Sequence, residues 1–343
     1  MKRWIRSALW LLATSLLFPV SLAADATSSA TQRVTEAAKG FLATLDETQR
    51  RAVVYSFDDA NQRARWSNLP VGMVPRGGIS LEQMNAAQRA AAMKLLSTVL
   101  SRHGFEKIQQ ILQGDEVLRL NRRSGGGPRF GKELYYLSLL GAPSDKTPWM
   151  LQFGGHHLAL NITLAGERGV LTPTLTGAQP AIYTFEGKTV RPLKGESDKA
   201  FALLSALDAT QKKQAILDYR VANLVLGPGE DGKTIEPEGL KASAMSPPQR
   251  ALLLDLIAEW AGIVHESAAA PRLAELKLNL DDTWFAWSGP TNVEPGSNIT
   301  AYYRIQGPTL VIEYAPQPGD PTMHVHTMYR DPTNDYGRKL LAR

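Results

Sequence analysis

The stretch that decides the fold is WMLQFGGHHLALNITL, residues 149–164. Leu158–Leu164 alternates apolar residues with polar or small ones, the period-two pattern of a β-strand. The apolar run Trp149–Gly155 precedes it, so the two segments predict an antiparallel hairpin with Gly155 as its turn. The leucine face should enter a core, and His157 falls on the opposite face with Ala159, Asn161 and Thr163.

A second hairpin is predicted further along the chain. Ala301–Gly307 and Leu310–Tyr314 repeat the pattern, with Gly307 in the place of Gly155. Helical runs precede each hairpin, at Ala90–Leu100 and Ala251–Ile263. The fold class is therefore predicted to be α+β, with helices followed by an antiparallel hairpin or meander in each half.

Several matches in order at near-constant spacing indicate an internal repeat. Leu45–Val53 reads almost like Leu207–Ile216, and Pro75–Ile79 faces Pro237–Leu240. The second half has Pro308-Thr309 where the first has His156-His157, so the histidine pair is not a requirement of the hairpin. The predicted organisation is a signal peptide at 1–23, a mobile mature N-terminus at 24–44, a first half at 45–206 and a second half at 207–343.

The first residues are typical of a secretory signal. Basic residues in Met1–Arg6 precede the apolar run Ala8–Val20, and Ser21–Ala23 supplies the small residues of a cleavage site. The apolar run is too short for a comfortable membrane span. We expect cleavage after Ala23 and a mature protein that is exported, periplasmic or extracellular, with no membrane span.

Composition excludes several classes of chemistry. There is no cysteine, which removes thiol catalysis, cysteine-bound zinc and iron–sulfur clusters. Part of the net charge of +5 comes from basic residues of the signal segment. The sequence shows no concentrated basic face, so we expect no nucleic-acid partner. Gly126–Lys132 fits a phosphate-loop pattern, but Glu133 replaces the hydroxyl residue that would hold magnesium, so no nucleotide cofactor is expected.

Four of the six histidines form two clusters, His156-His157 and His324-Val325-His326. Two histidines spaced by one residue share a strand face, a good geometry for Zn²⁺, Cu²⁺, Fe²⁺ or Mn²⁺. The hypothesis is a metal centre of His157, His324 and His326, completed by His156, Glu313 or Asp331. The alternative is a set of histidines that only bond backbone or acidic partners.

Arg330, Asp331 and Asp335 are the second group of candidate site residues. The acids are predicted to act as acid or base or to orient a histidine, and the arginine to hold a carboxylate or phosphate. Asp-Pro and Asn-Asp also form turns, so a local structural brace is the alternative.

Several segments spread over nearly the whole mature chain form a further set of motifs: Gln152–Asn161, Thr172-Pro173, Gly177–Pro180, Trp66, Leu69-Pro70, His324–His326, Tyr329–Pro332 and Asn334–Gly337. Together these motifs resemble the DUF3500 family. The resemblance implies one continuous unit and carries no activity and no site residue.

Three functional classes remain open at this point. The first is a metal-dependent hydrolase acting on a small molecule through a histidine-lined pocket. The second is a non-catalytic periplasmic or cell-surface protein that binds a small ligand through Arg330 and the aromatic second hairpin. The third is a structural protein without a site.

Overall fold

The computed structural model describes residues 29–121, 127–291, 301–317 and 323–341. The predicted signal peptide lies outside these ranges. The helices are α1 Ala30–Ala43, α2 Glu47–Val53, α3 Ala60–Arg63, α4 Ala86–Val99, α5 Arg102–Asn121, α6 Lys194–Ala206, α7 Ala209–Ala215, α8 Pro247–Ala261, α9 Glu266–Leu278 and α10 Arg338–Leu341. The strands are β1 Val54–Tyr55, β2 Ile79–Ser80, β3 Tyr136–Leu140, β4 Trp149–Gly155, β5 Leu158–Ala165, β6 Arg168–Val170, β7 Thr174–Ala178, β8 Tyr183–Phe185, β9 Lys188–Val190, β10 Leu240–Lys241, β11 Trp284–Ser288, β12 Tyr302–Gly307, β13 Leu310–Gln317 and β14 His324–Arg330.

One large mixed sheet forms the centre of the molecule, which confirms the α+β class. Its strand order is β1-β3-β4-β5-β7-β14-β13-β12-β11-β10, with β2 paired to β3 and β6 paired to β5. Only β1 and β3 run parallel among these described pairs. Both predicted hairpins are present, as β4–β5 and β12–β13.

Five strands of this order come from each half of the chain, and β7 and β14 pair at its middle. The two ends differ, because β1 pairs with β3 in parallel and β10 pairs with β11 in antiparallel. Details recur on the two sides: Asp46 and Asp208 each begin a short helix with a capping box. Side-chain amides then bond α2 to α4 and α7 to α8 in the same way, through Gln49–Gln88 and Gln211–Gln249. A common origin of the halves stays a prediction.

Residues 30–43, predicted to be mobile, instead form helix α1. Ser29 caps the helix in a reciprocal pair with Gln32. Val34, Ala38 and Phe41 recur at helical spacing and are buried, with Phe41 fully enclosed. The Ala- and Thr-rich composition suggested a tail, but this apolar stripe docks the segment on the core.

Both faces of the central strands are buried. The leucine face of β5 joins the main core beneath the helices, as its alternation predicted. The opposite face, expected to carry the polar residues, is also covered, and Asn161 and Thr163 are buried there. Loop segments cover this second face, and Trp66 packs there with Ala159, Leu175 and Met328. A site on this face is therefore largely covered, and His324 at the start of β14 is only partly buried.

Within the described ranges, no helix combines the length and the apolar character that crossing a membrane requires.

Candidate metal centre

The turn between β4 and β5 carries the first histidine cluster. Gly155 pairs with Leu158, so His156 and His157 alone form the turn and Gly155 ends its strand, contrary to the prediction. His157 has φ of 60°, the left-handed region that non-glycine residues seldom occupy. Such a conformation costs on the order of 1 kcal/mol and is often found at functional sites.

Strand β7 separates this turn from the second cluster. Gly177 of β7 pairs with His326 of β14. A Cβ atom at Gly177 would stand 3.0 Å from Cδ2 of His157 and 2.9 Å from the carbonyl oxygen of Val325. The glycine therefore gives the His157 ring room to reach across β7 to the face of β14.

Three Nε2 atoms meet at this point. Nε2 of His157 lies 2.6 Å from Nε2 of His324 and 3.2 Å from Nε2 of His326. The remaining pair, His324 and His326, is 2.8 Å apart. Three nitrogens bound tetrahedrally at 2.0–2.1 Å from one zinc ion would be roughly 3.3 Å apart. The His157–His326 separation of 3.2 Å matches this spacing, and the other two separations are shorter. The three side chains form a group that could hold a metal ion.

Hydrogen bonding among the three rings cannot satisfy this triangle. A hydrogen bond needs one donor and one acceptor, and each Nε2 is either protonated or carries a lone pair. With three atoms in mutual contact, at least one pair must be two donors or two acceptors. A cation in contact with all three nitrogens would engage every lone pair at once.

Burial keeps His157 and His326 in the form that binds metals. Desolvation, with the neighbouring histidines adding repulsion, holds the pKa of His157 well below its ordinary value. Desolvation and the nearby His324 lower the pKa of His326 to about 3. Both rings are therefore neutral near pH 7, the protonation state that metal coordination requires.

His156, predicted as a further ligand, points elsewhere. Its Nδ1 lies 2.7 Å from Oδ1 of Asp115, on helix α5, and its backbone oxygen accepts a bond from the Tyr135 hydroxyl. Its ring lies against that of His157, with centroids 3.7 Å apart and the planes tilted by 33°. The positive φ of His157 turns the two neighbouring rings along different directions, so the pair does not converge on one ion.

Arg330 and Asp335 lie in a buried network further along β14. The Arg330 guanidinium is fully buried and donates to Asp335, to Asp231 and to the backbone oxygens of Leu226 and Gly227. Burial raises the pKa of Asp335. Through these contacts Arg330 joins the C-terminal segment to the loop at 226–231. They reach further along the chain than the local brace with Asp331 that was the alternative.

Asp331 faces a different region from the histidines. Its Oδ1 accepts bonds from the backbone and hydroxyl of Thr333, and its other oxygen lies 3.4 Å from Arg272. It borders a cleft of about 220 Å³ between α9 and β6.

Glu313, the other carboxylate predicted to complete the metal centre, bonds to different partners. It accepts hydrogen bonds from the backbone N–H groups of Val225 and Leu226 and from the Tyr302 hydroxyl.

Sequence reasoning missed three residues of this site: Asp115, Asn68 and Gly177. Asp115 follows Ile108, Ile111 and Leu112 on one buried stripe of α5, and an acid on an apolar stripe is a signal that could have found it. The side-chain nitrogen of Asn68 lies 3.4 Å from both ring nitrogens of His326. No sequence pattern indicated that contact, because it joins a loop to a strand 258 residues away.

Fold and site together define an α+β protein whose central sheet carries a buried three-histidine group. The model of the family described as "Protein of unknown function (DUF3500)" matches residues 27–338. The chain belongs to this family, as its motifs indicated. No curated protein and no solved structure matches the chain.

Proposed function

We propose that this protein binds one divalent transition-metal ion through His157, His324 and His326 and uses it for hydrolysis. The observation that carries the proposal is the convergence of three Nε2 atoms within 3.2 Å at a point that no hydrogen-bond pattern satisfies. A positive-φ histidine in the turn and a glycine beneath its ring support it, because both serve the same convergence.

The ligand set favours a first-row transition metal, and zinc is our candidate for hydrolysis because it has no redox chemistry. Imidazole nitrogen suits zinc, copper, iron and nickel, whereas magnesium and calcium prefer oxygen. Met328 lies on the same strand face and would favour copper as a ligand, but it packs with Trp66, Ala159 and Leu175 in an apolar cluster. The ligand set is therefore three neutral nitrogens, without sulfur.

Three protein ligands favour catalysis over a purely structural ion. Structural zinc sites are closed by four protein ligands, whereas catalytic ones keep a position for water. Bound water has its pKa lowered by the ion and can attack a carbonyl or phosphoryl group near neutral pH. The proposed substrate is a small molecule with a hydrolysable bond of that kind.

The proposal includes export. A basic segment, an apolar run and a small-residue cleavage site at 1–23 support it. We propose that the mature protein works in the periplasm or outside the cell. Fractionation of cells, with N-terminal sequencing of the mature protein, tests this and should give Ala24 as the first residue.

Non-catalytic ligand binding is the second function that the sequence left open. It relied on Arg330 and the aromatic hairpin to hold a ligand. Arg330 is engaged by two carboxylates and two backbone oxygens, and Trp287, Tyr303 and Tyr314 are buried in the core. No contact in the described ranges favours this function over the metal centre.

The first experiment measures metal content in protein purified without a histidine tag. We expect about one equivalent of a divalent transition metal in the wild type and none in a His324→Ala/His326→Ala variant. His103→Ala/His265→Ala removes the two histidines outside the clusters and should keep the metal. Wild-type protein that contains no metal and takes up none of Zn²⁺, Cu²⁺, Fe²⁺ or Mn²⁺ would overturn the proposal.

A second experiment asks whether a coordination position is open. Cobalt can replace zinc in such sites and reports its coordination through visible absorption. Azide should change the spectrum of the cobalt protein, because it replaces bound water. A spectrum that azide does not alter would mean a closed site and would refute the hydrolytic part of the proposal while leaving metal binding intact.

A further inference from the structure

The hairpin turn that carries His157 is anchored from the other side of the sheet. Asp115 on α5 holds Nδ1 of His156 at 2.7 Å, and its second oxygen accepts the backbone N–H of Gly131 at 2.8 Å. The Tyr135 hydroxyl donates to the backbone oxygen of His156 at 2.7 Å. All these side chains are buried, so the contacts are not weakened by water.

The anchored ring supports the ligand directly. The centroids of the His156 and His157 rings are 3.7 Å apart at an angle of 33°. A strained residue such as His157 persists only where the surrounding structure holds it in place, so the contacts of the turn matter for the direction of its side chain. His156 is the residue of the turn that is held.

The second half of the sheet offers a natural comparison. Its hairpin turn is Pro308-Thr309, and Arg272 of α9 donates to both the hydroxyl and the backbone oxygen of Thr309. In each half, a charged side chain of a packed helix thus forms hydrogen bonds to the hairpin turn. Of these two turns, only the first carries a histidine that reaches β14. Only there can the hydrogen bonds to the turn position a metal ligand.

We propose that Asp115, acting through His156, is a positioning residue for the metal centre, holding His157 where its Nε2 meets those of His324 and His326. This inference rests on the proposed metal binding. Outer partners of metal-binding histidines fix ring orientation, and their loss typically costs roughly 10- to 100-fold in metal affinity. Asp115 acts at one step further from the ligand, because it bonds His156, whose ring lies against that of His157.

The test compares Zn²⁺ affinity and the cobalt spectrum in matched variants. Asp115→Ala should weaken Zn²⁺ binding by roughly 10- to 100-fold and alter the spectrum. Asp115→Asn keeps an acceptor for His156 and should restore most of the affinity. Arg272→Ala removes the hydrogen bonds from α9 to Thr309 in the other hairpin turn. It should leave the Zn²⁺ affinity and the cobalt spectrum unchanged.

Two outcomes separate this inference from the proposed function. If wild-type protein binds metal and Asp115→Ala binds it equally well with the same spectrum, the positioning role is refuted and the metal centre stands. If wild-type protein binds no metal, the proposed function itself fails. Should Asp115→Ala not fold, His156→Phe keeps a ring against His157 without Nδ1, and unchanged affinity there would refute the inference in the same way.

Discussion

His157 combines a strained backbone with a ligand position. Its φ of 60° suits asparagine better than histidine, so a backbone reason alone does not account for the residue. The three nitrogens supply a chemical reason, because the His157 side chain in this conformation lies over Gly177 and reaches the histidines of β14. Strain and coordination thus belong to the same residue.

The left-handed backbone conformation of His157 predicts the behaviour of the variant His157→Asn. Asparagine accepts the left-handed conformation, so the variant should fold with a thermal midpoint close to that of metal-free wild type. Its affinity for Zn²⁺ should fall by more than about 100-fold, beyond the loss expected for an outer partner. Calorimetric titration with Zn²⁺ checks this, and unaltered affinity would remove His157 from the ligand set.

The low pKa values of the buried histidines predict a pH dependence of folding. Folded His326 has a pKa of about 3 against about 6.5 for a histidine in the unfolded chain, so the unfolded state binds more protons between these values. The free energy of unfolding of the metal-free protein should therefore be greatest above about pH 6.5 and fall as pH drops toward about 3. Urea unfolding at a series of pH values measures the slope, which His326→Asn should make shallower.

At the scale of elements, β7 links the two histidine clusters. It lies between β5 and β14 and presents Gly177 beneath the His157 ring. Gly177→Ala should therefore push the His157 ring or the Val325 carbonyl aside. We expect Zn²⁺ binding to weaken by at least about 10-fold, because loss of a partner that orients a metal-binding histidine has an effect of that size. Gly166→Ala is a useful comparison, because that glycine has open space around it and only its positive φ is strained. Equal Zn²⁺ affinity in the two variants would contradict the packing argument.

The hairpins were predictable because their information is local. Alternation in Leu158–Leu164 fixed the strand, its core face and the side on which His157 falls. Strand β7, of sequence TLTGA, has too few apolar residues for such a pattern, and only tertiary pairing makes it a strand. The histidine partners were inferred from residue type, but Asp115 and Asn68 reach the site from other elements.

For the whole molecule, metal binding should stabilise the entire fold. The ligands lie on β14 and on the β4–β5 turn, on opposite sides of the middle of the sheet. An ion that binds only the folded state adds about 2.7 kcal/mol to the free energy of unfolding at 100 times its Kd. The thermal midpoint of wild type should rise with Zn²⁺ concentration while that of His324→Ala/His326→Ala stays constant. A rise in both would indicate binding elsewhere.

The separation of the ligands along the chain has a consequence for how the ion is acquired. His157 is 167 residues from His324 and 169 from His326, so the three nitrogens meet only after distant parts of the chain have paired through β7 and β14. Bringing together such distant segments is slow and late in folding. A nascent or partly folded chain thus has no three-nitrogen centre to offer, so under the proposed function the metals present where folding is completed would decide which ion is bound.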